Sequence, residues 1–251
     1  MTADSAPLRA YLIALADDEL ILGHRDAEWT GHAPILEEDI AFSNLAQDEM
    51  GHALTWYTLA HERGAPPPDR AAFFREPRAF RNAILVELPK GDWAFTVMRQ
   101  YLFDAAEQVR YAALAGSSYR PIADAVAKLR GEERYHLLHS RGWVQRLGDA
   151  TEESHRRMQA ALAGAWPHAL GLFEPTDGER GLVDGGIKPA EESLREEWWA
   201  QVRPVLEAAT LVIPTQVEAV TGGRSGRHTE HLTELLNEMQ KVARIEPEAT
   251  W

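Results

Sequence analysis

Two Glu-x-x-His pairs, Glu49 with His52 and Glu133 with His136, stand on what read as the apolar faces of long helices. Residues three apart on a helix are neighbours on one side, so each pair offers a carboxylate and an imidazole to the same point. Two such pairs, plus one carboxylate from each of two further helices, compose a carboxylate-bridged dimetal centre inside a four-helix bundle. Glu19 and Asp104 are the candidates for those further carboxylates. Glu19 precedes Glu49 by thirty positions and Asp104 precedes Glu133 by twenty-nine. Each helical hairpin would then set one acid opposite its Glu-x-x-His. Glu107 lies on the same stripe as Asp104 and is the alternative; the matching offset favours Asp104. The expected ligand set is Glu19, Glu49, His52, Asp104, Glu133 and His136, with Glu49 and Glu133 as bridges. Four carboxylates and two imidazoles suit two iron or manganese ions.

A lone Glu-x-x-His means little in a chain with 10 His and 39 acidic residues, and three such triplets are present. The third, Glu152/His155, follows a Gly-Asp-Ala-Thr turn in polar surroundings. It reads as a solvated first helical turn, where acids favour the positive end of the dipole. The other two are flanked by Leu, Phe, Val and Trp on their own stripe, where an ionised carboxylate is costly unless paired or metal-bound. The competing reading is a salt-bridge and hydrogen-bond network, for which Arg25, Arg99, Arg110 and Arg134 are close enough in sequence to serve as partners.

Helical periodicity dominates the chain. A first helix is expected over 7–29, with Leu8, Leu12, Leu15, Glu19, Leu22, Asp26 and Trp29 on one stripe, and a second over 35–63, stopped by Gly64 and three prolines. A partly apolar connection over 69–91 follows. Further helices are expected over 92–115, 121–147, 152–173, 191–209 and 228–245, with loops at 174–189 and 214–227. Leu45-x3-Glu49-x2-His52 recurs 84 positions later as Leu129-x3-Glu133-x2-His136, which suggests two equivalent hairpins. The fold class is all-α: one helical domain over 1–251, with a core four-helix bundle at about 7–147 and extra helices at about 152–245. The glycine-rich Thr221–Arg227 segment reads as a mobile loop, or else as an anchor for a partner chain or a phosphate. Most of the Trp residues read as core, with Trp198-Trp199 a candidate partner surface.

Bulk properties narrow the classes. At 251 residues the chain can bury a large core, and 45% hydrophobic with 26% charged content is that of an ordinary soluble protein. A net charge of −13 disfavours nucleic acid. The absence of cysteine excludes disulfides, thiolate zinc sites and Cys-ligated iron–sulfur clusters. No secretory signal or bilayer-length apolar run is visible, so a cytoplasmic location without membrane insertion is expected.

Several motifs carry a family resemblance: His24-Arg25-x-x-Glu28-Trp29-x-Gly31-His32-Ala33-Pro34, Arg99-Gln100-Tyr101 with Asp104, Arg134-Tyr135-His136 with Ser140-Arg141-Gly142-Trp143, and Thr221-Gly222-Gly223 with Gly226-x-His228-Thr229-Glu230-His231-Leu232. Together and in this order they resemble the C subunit of the multicomponent phenylacetyl-coenzyme A epoxidase of phenylacetate degradation. The resemblance spans almost the whole chain. It implies a ferritin-like bundle pairing with a homologous catalytic A subunit, which holds the di-iron centre and the coenzyme A ester. It further implies a structural role and a degenerate centre for the C subunit, from which this chain departs because all six ligand positions are ligand-capable. Two functions therefore compete. One is a scaffold that pairs with the catalytic subunit, joins other oxygenase components, and forms a homodimer when alone. The other is a metal-loaded di-iron oxygenase or oxidase active in its own right. Iron storage ranks behind both, since no cage-forming surface is indicated.

Overall fold

The computed structural model describes residues 5–249, all α-helix, 3-10 helix, turn and loop, with no strand among them. Eleven α-helices follow one another: α1 (Ser5–Ala27), α2 (Leu36–His61), α3 (Pro68–Phe73), α4 (Ile84–Glu87), α5 (Trp93–Leu114), α6 (Arg120–Asp149), α7 (Glu152–Leu170), α8 (Arg180–Asp184), α9 (Glu191–Ala208), α10 (Glu230–Met239) and α11 (Lys241–Ile245). The all-α expectation holds, and six of the seven long helices end close to where periodicity and turn residues put them. The seventh, expected as one helix over 228–245, is divided at Gln240. Its buried side-chain amide donates to the carbonyls of Ala72 and Arg75, both at 3.1 Å. No helix among the described residues is long and apolar enough to cross a membrane.

Local signals explain the ends. Three acids, Glu37, Glu38 and Asp39, occupy the first turn of α2, where they complement the helix dipole. Asp92 caps α5 by accepting from the Phe95 amide at 2.9 Å. Thr151 and Ser154 form a reciprocal capping box that starts α7.

The helices group into two compact units. The first comprises the described residues up to Pro89, Thr176–Gly181 and those from Gly222 onward. In it α1 and α2 form a long hairpin, antiparallel because only residues 28–35 join them. Helix α3 packs on α2, and α4 on α1 and α10. The second unit is Lys90–Pro175 with Leu182–Thr221. Its hairpin is α5 and α6, and both helices also pack on α7 and α9. The helices beyond the two hairpins are thus integral parts of the units. Trp198 of α9 is 0% exposed, stacks on Trp166 of α7 at 5.3 Å, and donates its indole N–H to the Leu102 carbonyl at 3.0 Å.

Candidate metal centre

Helix α1 carries three consecutive acids, Asp17, Asp18 and Glu19, and all are buried. Successive residues on a helix point about 100° apart, so the three serve different neighbours. Glu19 faces α2. Its Oε1 lies 3.8 Å from His52 Nδ1, and Glu49 Oε2 lies 3.9 Å from the same nitrogen. One donor atom from each of Glu19, Glu49 and His52 falls within 4.8 Å of the others, and all three residues are 0% exposed. One turn beyond Glu19 is Gly23, where a Cβ would sit 2.8 Å from Glu49 Cβ and 3.2 Å from the Ala46 carbonyl. Only glycine lets the two backbones approach so closely beside Glu49. The cluster could hold a metal ion: two oxygen donors and one nitrogen donor, buried together, suit iron or manganese. Two carboxylates set side by side out of water otherwise require a shared proton or cation.

In the second unit, Glu133 and His136 lie on one face of α6 with Glu133 Oε2 3.6 Å from His136 Nδ1, and both are 0% exposed. Asp104 of α5 reaches that face one turn farther on. Its Oδ2 accepts from Ser140 Oγ at 2.6 Å and its Oδ1 accepts from Gln100 Nε2 at 2.8 Å. Asp104 is thereby held by neutral donors on both oxygens. Glu107 is held differently. It accepts from Arg110 at 3.0 Å, and Arg110 in turn donates to Glu191, which also binds Lys188 at 2.7 Å. This buried chain of alternating charges makes Glu107 an ion-pair partner.

Of the four arginines named for a purely structural network, Arg25 binds Glu28 and the carbonyls of Glu87 and His231, Arg110 serves Glu107 and Glu191, Arg134 is exposed, and Arg99 is 0% exposed and engaged within the protein. Glu152 is exposed at the start of α7, as its polar context implied, and His155 Nδ1 sits 2.8 Å from the Gly148 carbonyl.

Two expectations need correction. The 221–227 segment is not a loose loop. Gly222, Gly223 and Arg224 are buried, and a Cβ on Gly223 would lie 2.0 Å from the Asn82 carbonyl. Arg224 donates to both oxygens of Asp18, at 2.9 and 2.6 Å, and to the Arg81 carbonyl at 2.8 Å. Its cation is spent inside the chain, so the phosphate-anchor alternative loses its main donor. Trp198 likewise belongs to the core, and only Trp199, 38% exposed, reaches the surface.

Sequence reading missed the ionic frame around the cluster. Asp17 accepts from the Tyr57 hydroxyl, the Arg75 guanidinium and the Arg81 amide. Burial, reinforced by Asp17, pushes the Tyr57 phenol well above its ordinary range, so it stays a neutral donor. Glu87, 0% exposed, gathers His228 Nδ1 at 2.7 Å, the Thr229 amide at 2.6 Å and Asn82 Nδ2 at 2.9 Å. The available signal was the run Asp17-Asp18-Glu19 within an otherwise apolar segment.

Comparisons with known proteins agree with the motifs. The family described as "Phenylacetic acid catabolic protein" matches residues 1–251. The chain is 40% identical over 245 residues to the C subunit of the "1,2-phenylacetyl-CoA epoxidase" of Escherichia coli (strain K12), covering 97% of this chain and 99% of that one. It is 26% identical over 204 residues to the A subunit of the same epoxidase from the same organism, covering 79% and 66% respectively. With its whole length matched, the chain belongs to the phenylacetic acid catabolic protein family.

Proposed function

We propose that this chain is an accessory subunit of a phenylacetyl-coenzyme A epoxidase in aerobic phenylacetate degradation. It works in the cytoplasm, paired with a homologous catalytic chain and served by further oxygenase components. The observation that carries this reading is the end-to-end 40% identity to a C subunit, against 26% over a shorter stretch to an A subunit. The test is co-expression with the homologous catalytic chain of the same source. The two should co-purify as a hetero-oligomer that epoxidises phenylacetyl-coenzyme A once the remaining components are added. The chain alone should form a homodimer without turnover. Failure to co-purify, or turnover by this chain alone, overturns the assignment.

A second reading rests on the convergence of Glu19, Glu49 and His52: the chain holds iron or manganese itself. In that reading Glu19, Glu49 and His52 are the ligands of the first unit and Glu133, His136 and Asp104 those of the second. Such ions, when bound, supply the binding and reduction of dioxygen. The side chains hold their donors out of contact with bulk water, all six residues being 0% exposed. Gln100 and Ser140 fix the Asp104 carboxylate on both oxygens. Metal analysis of the purified chain should find about two ions per chain. Glu49→Ala should lose metal, while Glu152→Ala, altering the exposed triplet, should retain it. Equal metal content in both variants and wild type sinks this reading and leaves the first intact.

A further inference from the structure

Within the second unit, helices α5, α6 and α9 enclose a cleft of about 500 Å³ that neither the metal ligands nor the family comparison accounts for. One stripe from each helix lines it: Tyr101 from α5, Leu137, Arg141 and Gln145 at successive turns of α6, and Gln201 and Val205 of α9. Tyr101 is 1% exposed and forms part of the cleft wall. Among the described residues, Tyr101, Arg141, Gln145 and Gln201 form no hydrogen bond or ion pair with the protein. No acid lines the cleft. In a chain of net charge −13, an arginine left without a carboxylate beside a buried phenol is a recognition feature in want of a ligand.

We propose that this cleft binds a small organic carboxylate. The Arg141 guanidinium and the Tyr101 hydroxyl take the carboxylate, and the Gln145 and Gln201 amides flank it. The apolar body of the ligand lies along Leu137 and Val205. Planar guanidinium–carboxylate contacts are strong and directional, and a cleft of this size with apolar walls and a few converging donors has the make-up of a small-molecule site. Burial holds the Tyr101 phenol above its ordinary range despite the opposing pull of Arg141, so the hydroxyl keeps its proton to donate. The site lies wholly within one unit and does not depend on the function proposed above.

Calorimetric titration of the full chain with phenylacetate, phenylacetamide and inorganic phosphate tests the proposal. Phenylacetate should bind saturably, and the neutral amide and phosphate each at least about tenfold more weakly, the amide lacking the charge and phosphate the apolar body. Arg141→Gln should weaken phenylacetate binding by about tenfold or more. Because Arg141 is exposed and unbonded, that variant should keep the wild-type melting temperature. Tyr101→Phe should weaken binding less. The proposal is overturned by the absence of saturable phenylacetate binding, by equal affinity for the amide or phosphate, or by undiminished affinity in Arg141→Gln.

Discussion

Replacing Arg224 by methionine tests whether the glycine-rich segment is an internal clamp. The substitution keeps much of the side-chain bulk but removes two charge-assisted bonds to Asp18 and one each to the Arg81 and Ala14 carbonyls. Asp18, 2% exposed, would keep the Ala83 amide at 2.7 Å as a donor to Oδ1 but lose the cation that neutralises it. Removing one partner of a buried, hydrogen-bonded ion pair costs about 3–5 kcal/mol, mostly from the charge left behind. At roughly 2–4 °C of melting temperature per kcal/mol for a chain of this size, the loss is on the order of 6–20 °C. Thermal unfolding followed by circular dichroism measures it, with urea titration as a second readout. The double variant Asp18→Leu with Arg224→Met removes the stranded charge along with its partner and should recover most of the loss. A single variant melting within about 2 °C of wild type would refute the reasoning. So would a double variant no better than the single one.

Three further outcomes follow from the same geometry. Gly23→Ala places a Cβ 2.8 Å from Glu49 Cβ, and the forced separation of α1 and α2 should cost about 1–3 kcal/mol in chemical denaturation; no loss would show that the helices yield freely there. Tyr57→Phe leaves Asp17 and Arg75 without the shared hydroxyl and should cost about 1–3 kcal/mol by the same assay. His24 has its pKa lowered from 6.5, chiefly by burial and partly offset by Glu28. The unfolded chain therefore takes up a proton near pH 6.5 that the folded chain resists, and this contribution to stability falls as pH drops from about 6.5 towards the depressed folded value. His24→Gln should lessen the fall in stability as pH drops below about 6.5, measured in urea; an unchanged slope there would remove His24 as a contributor.

The long helices were legible because apolar residues recur on one face and Gly, Pro or capping residues punctuate the ends. The four main ones carry enough turns for that pattern to rise above noise. The connection over 69–91 was less legible: α3 and α4 are too short to show a period. The burial of Gln240 against the carbonyls of Ala72 and Arg75 involves partners remote in sequence. In the candidate site, burial of Glu19, Glu49, His52, Glu133 and His136 followed from their apolar neighbours. The different fates of Asp104 and Glu107 did not, since they hinge on Ser140 and on Arg110 with Glu191, residues whose proximity only the fold reveals. Arg224 was hardest to place. A basic residue amid glycines has the composition of a solvated loop, and its buried partner lies 206 positions away.

The three acids of α1 show how a buried carboxylate can be kept in place. Asp17 is bound to Arg75 and Tyr57 from one side, and Asp18 to Arg224 and the Ala83 amide from another. Both arginines come from segments of the same unit as the α1–α2 hairpin. With its two predecessors tied, α1 has little freedom to rotate or slide, and Glu19 is presented to Glu49 and His52 by a helix already held. Gly23 sets the depth of the same approach one turn later. The family motifs extend the restraint. Arg25 binds the Glu87 and His231 carbonyls, and Glu87 receives His228 and the Thr229 amide. The last motif thus braces the helix that carries Glu19, through the His228 ring on Glu87 and the His231 backbone carbonyl on Arg25. A buried cluster supported this way has its geometry fixed by the fold itself. The same bracing serves a scaffold equally well, because a hairpin that cannot shift presents an unchanging face to a partner.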